Sequence, residues 1–220
     1  MKTTPLIAAF ALCLLAAPAL AADPAPFDAR IDALGAAWAH ANYEVKGKPA
    51  QSAEAAKVAA QAAALASQNP TRAEPLVWEA IALATEGGAE GGLKGLGLAK
   101  QARALLEKAE YINPKALNDG SVYTTLGSLY AQVPGFPIGF GDAGKARGYL
   151  QKALAANPNG IDSNFFYGDF LMRQGDYAGA AKALERALAA PARPGRAVAD
   201  QGRRAEAATL LAQAKAKLHA

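Results

Sequence analysis

Cysteine is almost missing from this chain. Its one copy, Cys13, lies in an amino-terminal apolar stretch, so the rest of the sequence can form no disulfide and offers no thiolate nucleophile. Histidine is nearly as scarce. His40 and His219 stand at opposite ends, which leaves little support for a histidine-rich metal site or a Ser-His-Asp arrangement. Beyond the first twenty or so residues, no apolar run approaches the length that crosses a bilayer. Neither sign of charge dominates, with 23 Lys and Arg against 19 Asp and Glu. The basic residues are not interleaved with aromatics, so nucleic acid is not an expected partner. The chain is therefore expected not to be an enzyme and to need no metal or cofactor. A glycan hydrolase working with two carboxylates is the enzyme class that composition leaves open.

What the chain has in excess is alanine, roughly a quarter of all residues, which suits close helix-on-helix packing far better than strands. An all-α protein is expected. The opening MKTTPLIAAFALCLLAAPALA has one early Lys, a short apolar run and a small-x-small end at Ala19-Leu20-Ala21. It reads as a signal peptide over residues 1–21 that directs the chain to the periplasm, with an uncleaved anchor as the alternative. Residues 22–27 form a short linker. A helical repeat domain follows over 28–191, and 192–220 read as a capping helix.

The repeat shows in the prolines. Pro70, Pro114 and Pro158 are spaced 44 residues apart, each after Asn, and a period of that size signals stacked helical units. Ahead of them recur Ala102-x3-Leu106-x2-Ala109, Ala146-x3-Leu150-x2-Ala153 and Ala180-x3-Leu184-x2-Ala187. That spacing places small residues on one helical face. A second pattern marks the preceding helix of each unit: Ile31-x2-Leu34-Gly35-x2-Trp38, Trp78-x2-Ile81-Ala82, Tyr123-x2-Leu126-Gly127-x2-Tyr130 and Tyr167-Gly168-x2-Leu171. These residues resemble the tetratricopeptide repeat family, most faithfully over Ser163–Pro191. The resemblance implies a right-handed superhelix of about four helix hairpins. Val198 to Leu218 would then cover its open end. Thr71-Arg72-Ala73-Glu74 has capping-box form, and Asp142 is placed to cap the helix that follows it.

The chain also departs from the repeat. Only the last unit has a short turn between its helices; the first three carry insertions at the same place, expected to gather as loops along one edge and build a binding face. One insertion is the Gly-rich GGAEGGLKGLGL at 87–98, which lacks the Gly-Lys-Ser/Thr ending of a phosphate loop and is expected to be a loop. Another is VPGFPIGFGD at 133–142. Its prolines and glycines imply a shaped segment, and its Phe136, Ile138 and Phe140 have two readings. They either seal the loop onto its own repeat or line a ligand pocket or a partner interface with Leu93, Leu96 and Leu98, beside Tyr130. Trp38 and Trp78 are expected in the core. From Arg186 onward seven Lys or Arg face two carboxylates; this end is expected either to be the solvated face of the capping helix or to touch anionic lipid or an acidic partner.

Asp119-Gly120-Ser121-x-Tyr123, Leu126-Gly127-x-Leu129-Tyr130 and Val133-Pro134-Gly135-Phe136-Pro137-Ile138-Gly139 together resemble the T-component family associated with TRAP-type transporters. That resemblance implies a periplasmic auxiliary protein that oligomerises, contacts a solute-binding protein and offers a cleft for an apolar ligand. Phe136, Ile138 and Phe140, with Leu93 and Leu96, would line the cleft. The expected function is a non-enzymatic binding or scaffold module for a periplasmic protein partner or a small apolar ligand. Membrane contact would be peripheral at most. The alternative is an envelope-assembly scaffold that captures peptides in its concave groove.

Overall fold

The structure is a computed structural model that describes residues 25–218. The expected signal peptide, with Cys13, and His219 lie outside the described residues. Every regular element among the described residues is helical, as expected from the alanine content. Four hairpins follow one another: α1 (Phe27–Ala39) with α2 (Lys48–Gln68), α3 (Glu74–Glu90) with α4 (Gly92–Ile112), α5 (Ser121–Gln132) with α6 (Ala143–Ala156), and α7 (Ile161–Arg173) with α8 (Tyr177–Ala189). A long last helix, α9 (Ala197–Leu218), completes the stack.

The 44-residue period is the hairpin period. Asn69, Asn113 and Asn157 each terminate the second helix of their unit, and the following proline, which cannot continue a helix, turns the chain into the next unit. Within the third and fourth units the small-residue slots allow the close contact that their spacing implies. A Cβ at Gly127 would lie 2.6 Å from Leu150 Cγ, and one at Gly168 would lie 2.7 Å from Leu184 Cγ, so the paired helices cross at a distance only glycine permits. Ala102, Leu106, Ala109, Ala146, Leu150 and Ala153 are all fully buried. Trp38 and Trp78 are core residues at 6.0 Å ring separation.

Three local expectations need correction. First, the insertions of the first two units are not loops. After α1 the chain continues as a π-helical turn, His40–Glu44, and α2 starts four residues later. The Gly-rich 87–98 is helical too, extending α3 to Glu90 and starting α4 at Gly92, with only Gly91 between. Its glycines serve the crossing: a Cβ at Gly95 would sit 2.5 Å from the Gly87 carbonyl oxygen. Second, the Thr71 capping box does not form. Ala73, in helical conformation, precedes α3, so Glu74 is the first helical residue instead of the third. Arg72 binds Glu74 (Nε to Oε2, 3.0 Å) and lies over the Phe27 ring. Asp142 does cap α6, its Oδ1 accepting from Lys145 N at 2.9 Å.

The third correction concerns the basic end. Arg193 and Arg203 turn inward instead of facing solvent. Both bind Asp162 at the start of α7, at 2.7 and 2.8 Å; Arg193 also holds the buried Asp200, and Arg203 holds Glu206. Glu206 accepts a hydrogen bond from the Tyr43 hydroxyl. Helix α9 thus packs on α7 and α8 and also touches α1 and the π turn after it. The last described helix meets the first.

Candidate functional site

The extended α3–α4 hairpin and the loop after α5 enclose a cleft of about 460 Å³. Its floor is backbone. Gly87 and Gly88 lie in the last turn of α3, Gly91 and Gly92 make the joint with φ of 68° and 55°, and Gly95 lies in the first turn of α4. Positive φ at two successive residues is open to glycine at little cost, which explains the Gly-Gly pair at that joint. With no side chains on this surface the walls decide the chemistry: Leu93 and Leu96 on α4, Leu129 on α5, and Val133, Pro134 and Ile138 on the loop. Gln132 is the one polar side chain among the lining residues, and no titratable group borders the cleft.

The loop is shaped by its own hydrogen bonds. Asp142 N donates to Tyr130 O at 2.9 Å, closing the base. Gly141 N donates to Pro134 O at 2.9 Å, and Ile138 N and Gly139 N both donate to Gly135 O. The Phe136-Pro137 bond is cis. Held this way, the loop sends its large side chains in different directions. Ile138 points to the cleft and is 65% exposed, while Leu93 on the opposite wall is 86% exposed. Phe136 stands outside the cleft at 94% exposure. Phe140 turns inward, edge-on to Tyr130 at 5.5 Å, with the Arg103 guanidinium 4.5 Å from its centroid.

Of the six candidate residues, the structure therefore brings Leu93, Leu96 and Ile138 together around the cleft. Phe140 and Tyr130 belong to an aromatic ladder beneath it. Tyr130 stacks on Tyr149, Tyr149 stacks on Tyr123, and Lys145 and Lys152 sit over the rings. Burial, helped by Glu110, pushes the Tyr149 hydroxyl up to about 12. Tyr130 is buried in this ladder, while Phe140, Tyr149 and Tyr123 are half-buried, and neither Tyr130 nor Phe140 lines the cleft.

Sequence reasoning missed a second cavity, of about 200 Å³, on the inner face of the stack. First helices of all four units contribute: Trp38, Trp78, Thr125, Ser128 and Asp162 are examples. Arg196, from the segment joining α8 to α9, crosses over it with its guanidinium carbon 5.0 Å from the Trp78 ring. Burial, then Arg193, pulls the Arg196 guanidinium below its ordinary value. Trp38 Nε1 donates to Thr85 Oγ1 at 2.9 Å. By contrast, the buried Trp78 Nε1 and Arg196 Nε find no acceptor among the described residues. Nothing in the sequence pattern marks Arg196, because it lies outside the repeat and the Trp78 ring it lies over comes from a distant unit. Among the described residues no group of three or more His, Cys, Asp or Glu is placed to hold a metal ion, and no described helix is long and apolar enough to cross a membrane.

Hairpins in register, glycine crossings and an inner face built from first helices define a tetratricopeptide-type superhelix. Known proteins agree on the class. A tetratricopeptide repeat family profile matches residues 138–199, which span α6, the fourth hairpin and the start of α9. The crystal structure of a thermophilic TPR protein from Thermus thermophilus is similar with a TM-score of 0.54 at 19% identity, over 74% of this chain and 78% of that one. No curated protein matches the chain.

Proposed function

We propose that this protein is a non-enzymatic periplasmic binding module whose Gly-floored cleft takes a small apolar ligand. The cleft carries the reading: about 460 Å³ of space with aliphatic walls and no titratable border lies in the size range of ligand pockets. Its rim residues Leu93 and Ile138 stay wet in the free chain, and covering such side chains contributes about 25 cal/mol per Å². The sequence resemblance over 119–139 adds the finer reading of an auxiliary component of a TRAP-type transport system. On that reading the exposed Phe136 meets a periplasmic solute-binding protein, because a lone aromatic on a hydrogen-bonded loop is a preordered anchor. Peptide capture in the concave groove is less favoured, since the Arg196 segment already crosses that face.

Mass spectrometry of small molecules that copurify with the chain from its own periplasm tests the reading. A Leu93→Asp, Ile138→Asp double variant is expected to lose the copurifying apolar compound while keeping full helical ellipticity, because both side chains are largely exposed. An identical small-molecule profile for the variant and the unaltered chain refutes the cleft as the binding site. For the partner, a photoreactive residue in place of Phe136 should crosslink to a solute-binding protein; a crosslink-free result removes the transport assignment.

A further inference from the structure

The two cavities share walls. Ala84, Leu129 and Gln132 border both the apolar cleft and the polar inner cavity, so the spaces adjoin across the α3–α5 contact. One end is aliphatic and uncharged. The other holds Arg196, Trp78, the hydroxyls of Thr125 and Ser128, and the Asp162 carboxylate, whose charge Arg193 and Arg203 offset.

The charge at the polar end is specific. Three arginines gather near Asp162, and two of them are fully engaged: Arg193 with Asp162 and Asp200, Arg203 with Asp162 and Glu206. Arg196 makes no side-chain hydrogen bond or ion pair with any described residue; its buried Nε is without an acceptor, as is the neighbouring Trp78 Nε1. The other carboxylate near it, Asp119, accepts from Ser121 N at 2.9 Å, and burial pushes its carboxyl up. Buried donors of this kind are expensive to leave without partners. A planar carboxylate matches a single guanidinium through two parallel N–H···O bonds, and the indole N–H supplies a further donor.

We propose that the two adjoining cavities together bind an amphipathic monocarboxylate, its apolar tail on the glycine floor between Leu96 and Ile138 and its carboxylate at Arg196 beside Trp78. This rests on the apolar-ligand reading of the cleft and names the class of ligand. Gln132, at the shared wall, marks the change from tail to head.

The test is calorimetric titration of the signal-free chain with sodium decanoate and with decanol. Decanoate should bind roughly ten- to a hundredfold more tightly, the range for a hydrogen-bonded charge. Arg196→Gln should remove that preference and leave decanol binding unchanged. A placement measurement needs no variant: 2-bromodecanoate should quench tryptophan fluorescence more strongly than 10-bromodecanoate, because its bromine would lie beside Trp78. Equal affinity for decanoate and decanol, a preference that survives Arg196→Gln, or stronger quenching by the 10-bromo isomer each overturns the head-group assignment and leaves the apolar cleft standing. Binding of neither probe overturns the cleft reading and this inference together.

Discussion

Gly127 and Gly148 look alike in sequence and are opposites in the fold. Both lie inside helices of the third hairpin, where glycine is usually a weakness. A Cβ at Gly127 would meet Leu150 Cγ at 2.6 Å and, less forgivingly, the Leu150 backbone nitrogen at 3.1 Å. Around Gly148 nothing lies within 4 Å of the same position. Gly127→Ala is therefore expected to lower stability by about 1–3 kcal/mol, the size of an overpacked core, whereas Gly148→Ala should raise it by about 0.4–1 kcal/mol through the unfolded chain. Urea unfolding of both variants checks the pair, and a stabilised Gly127→Ala would mean that the α5–α6 crossing is looser than described. Side chains of one chemical kind also part company in the loop. Phe136, Ile138 and Phe140 alternate along the loop, and composition treats them as one oily set. What separates them is the hydrogen bonding of Pro134, Gly135 and Gly141, which sends one ring to Tyr130, one to solvent and the isoleucine to the cleft.

Elements are legible where their signal is periodic. The Ala-x3-Leu-x2-Ala faces, the Asn-Pro stops and the Leu-Gly slots are set by contacts inside one hairpin or with its neighbour, so the hairpins and their order can be read from them. The 87–98 segment reads as a loop because intrinsic propensity disfavours glycine in helices, and a close crossing overrides propensity when a side chain would collide with backbone, as at Gly95 and Gly87. The cleft inherits its floor from that crossing, and so is hidden with it. Its other wall is the loop that leads into α6. Asp142 closes the loop through its backbone N–H on Tyr130 O and starts the helix through its side chain on Lys145 N. Asp142→Ala removes the second bond only. Loss of an N-cap costs about 1 kcal/mol, which for a chain of this size lowers Tm by about 2–4 °C. Decanol affinity should stay within twofold, since the loop's base bond survives. A large loss of affinity would show that the cap, instead of the loop backbone, holds the wall.

A linear repeat array unfolds from its ends, each unit depending on its neighbours alone. This molecule ties the two ends of its described stack together. Asp162 in the fourth hairpin holds Arg193 and Arg203, and Arg203 reaches the Tyr43 side of the first hairpin through Glu206. Burial acts to raise the Asp162 carboxyl, but the Arg203 and Arg193 guanidiniums outweigh it and hold the group below its ordinary value of 3.8. A depressed carboxyl contributes stability that is complete above pH 3.8 and is lost as pH falls further, through the folded-state value. Asp119 runs the other way: raised by burial, its contribution is complete below 3.8 and is lost as pH rises through its folded-state value. Asp162→Asn leaves two guanidiniums without their shared carboxylate, and breaking such a pair costs about 3 kcal/mol near neutral pH. The difference between the variant and the unaltered chain should shrink as pH drops below 3.8, because the unaltered carboxylate is then neutralised as well. Hydrogen exchange locates the effect. If α9 closes the stack, Asp162→Asn lowers amide protection in α9 and in the α1–π-turn region together, although residue 162 and Tyr43 are far apart in sequence. Loss confined to α7 and α9 would make the last helix an ordinary end cap, and the inner cavity under Arg196 would then lie on an open array instead of inside a closed one.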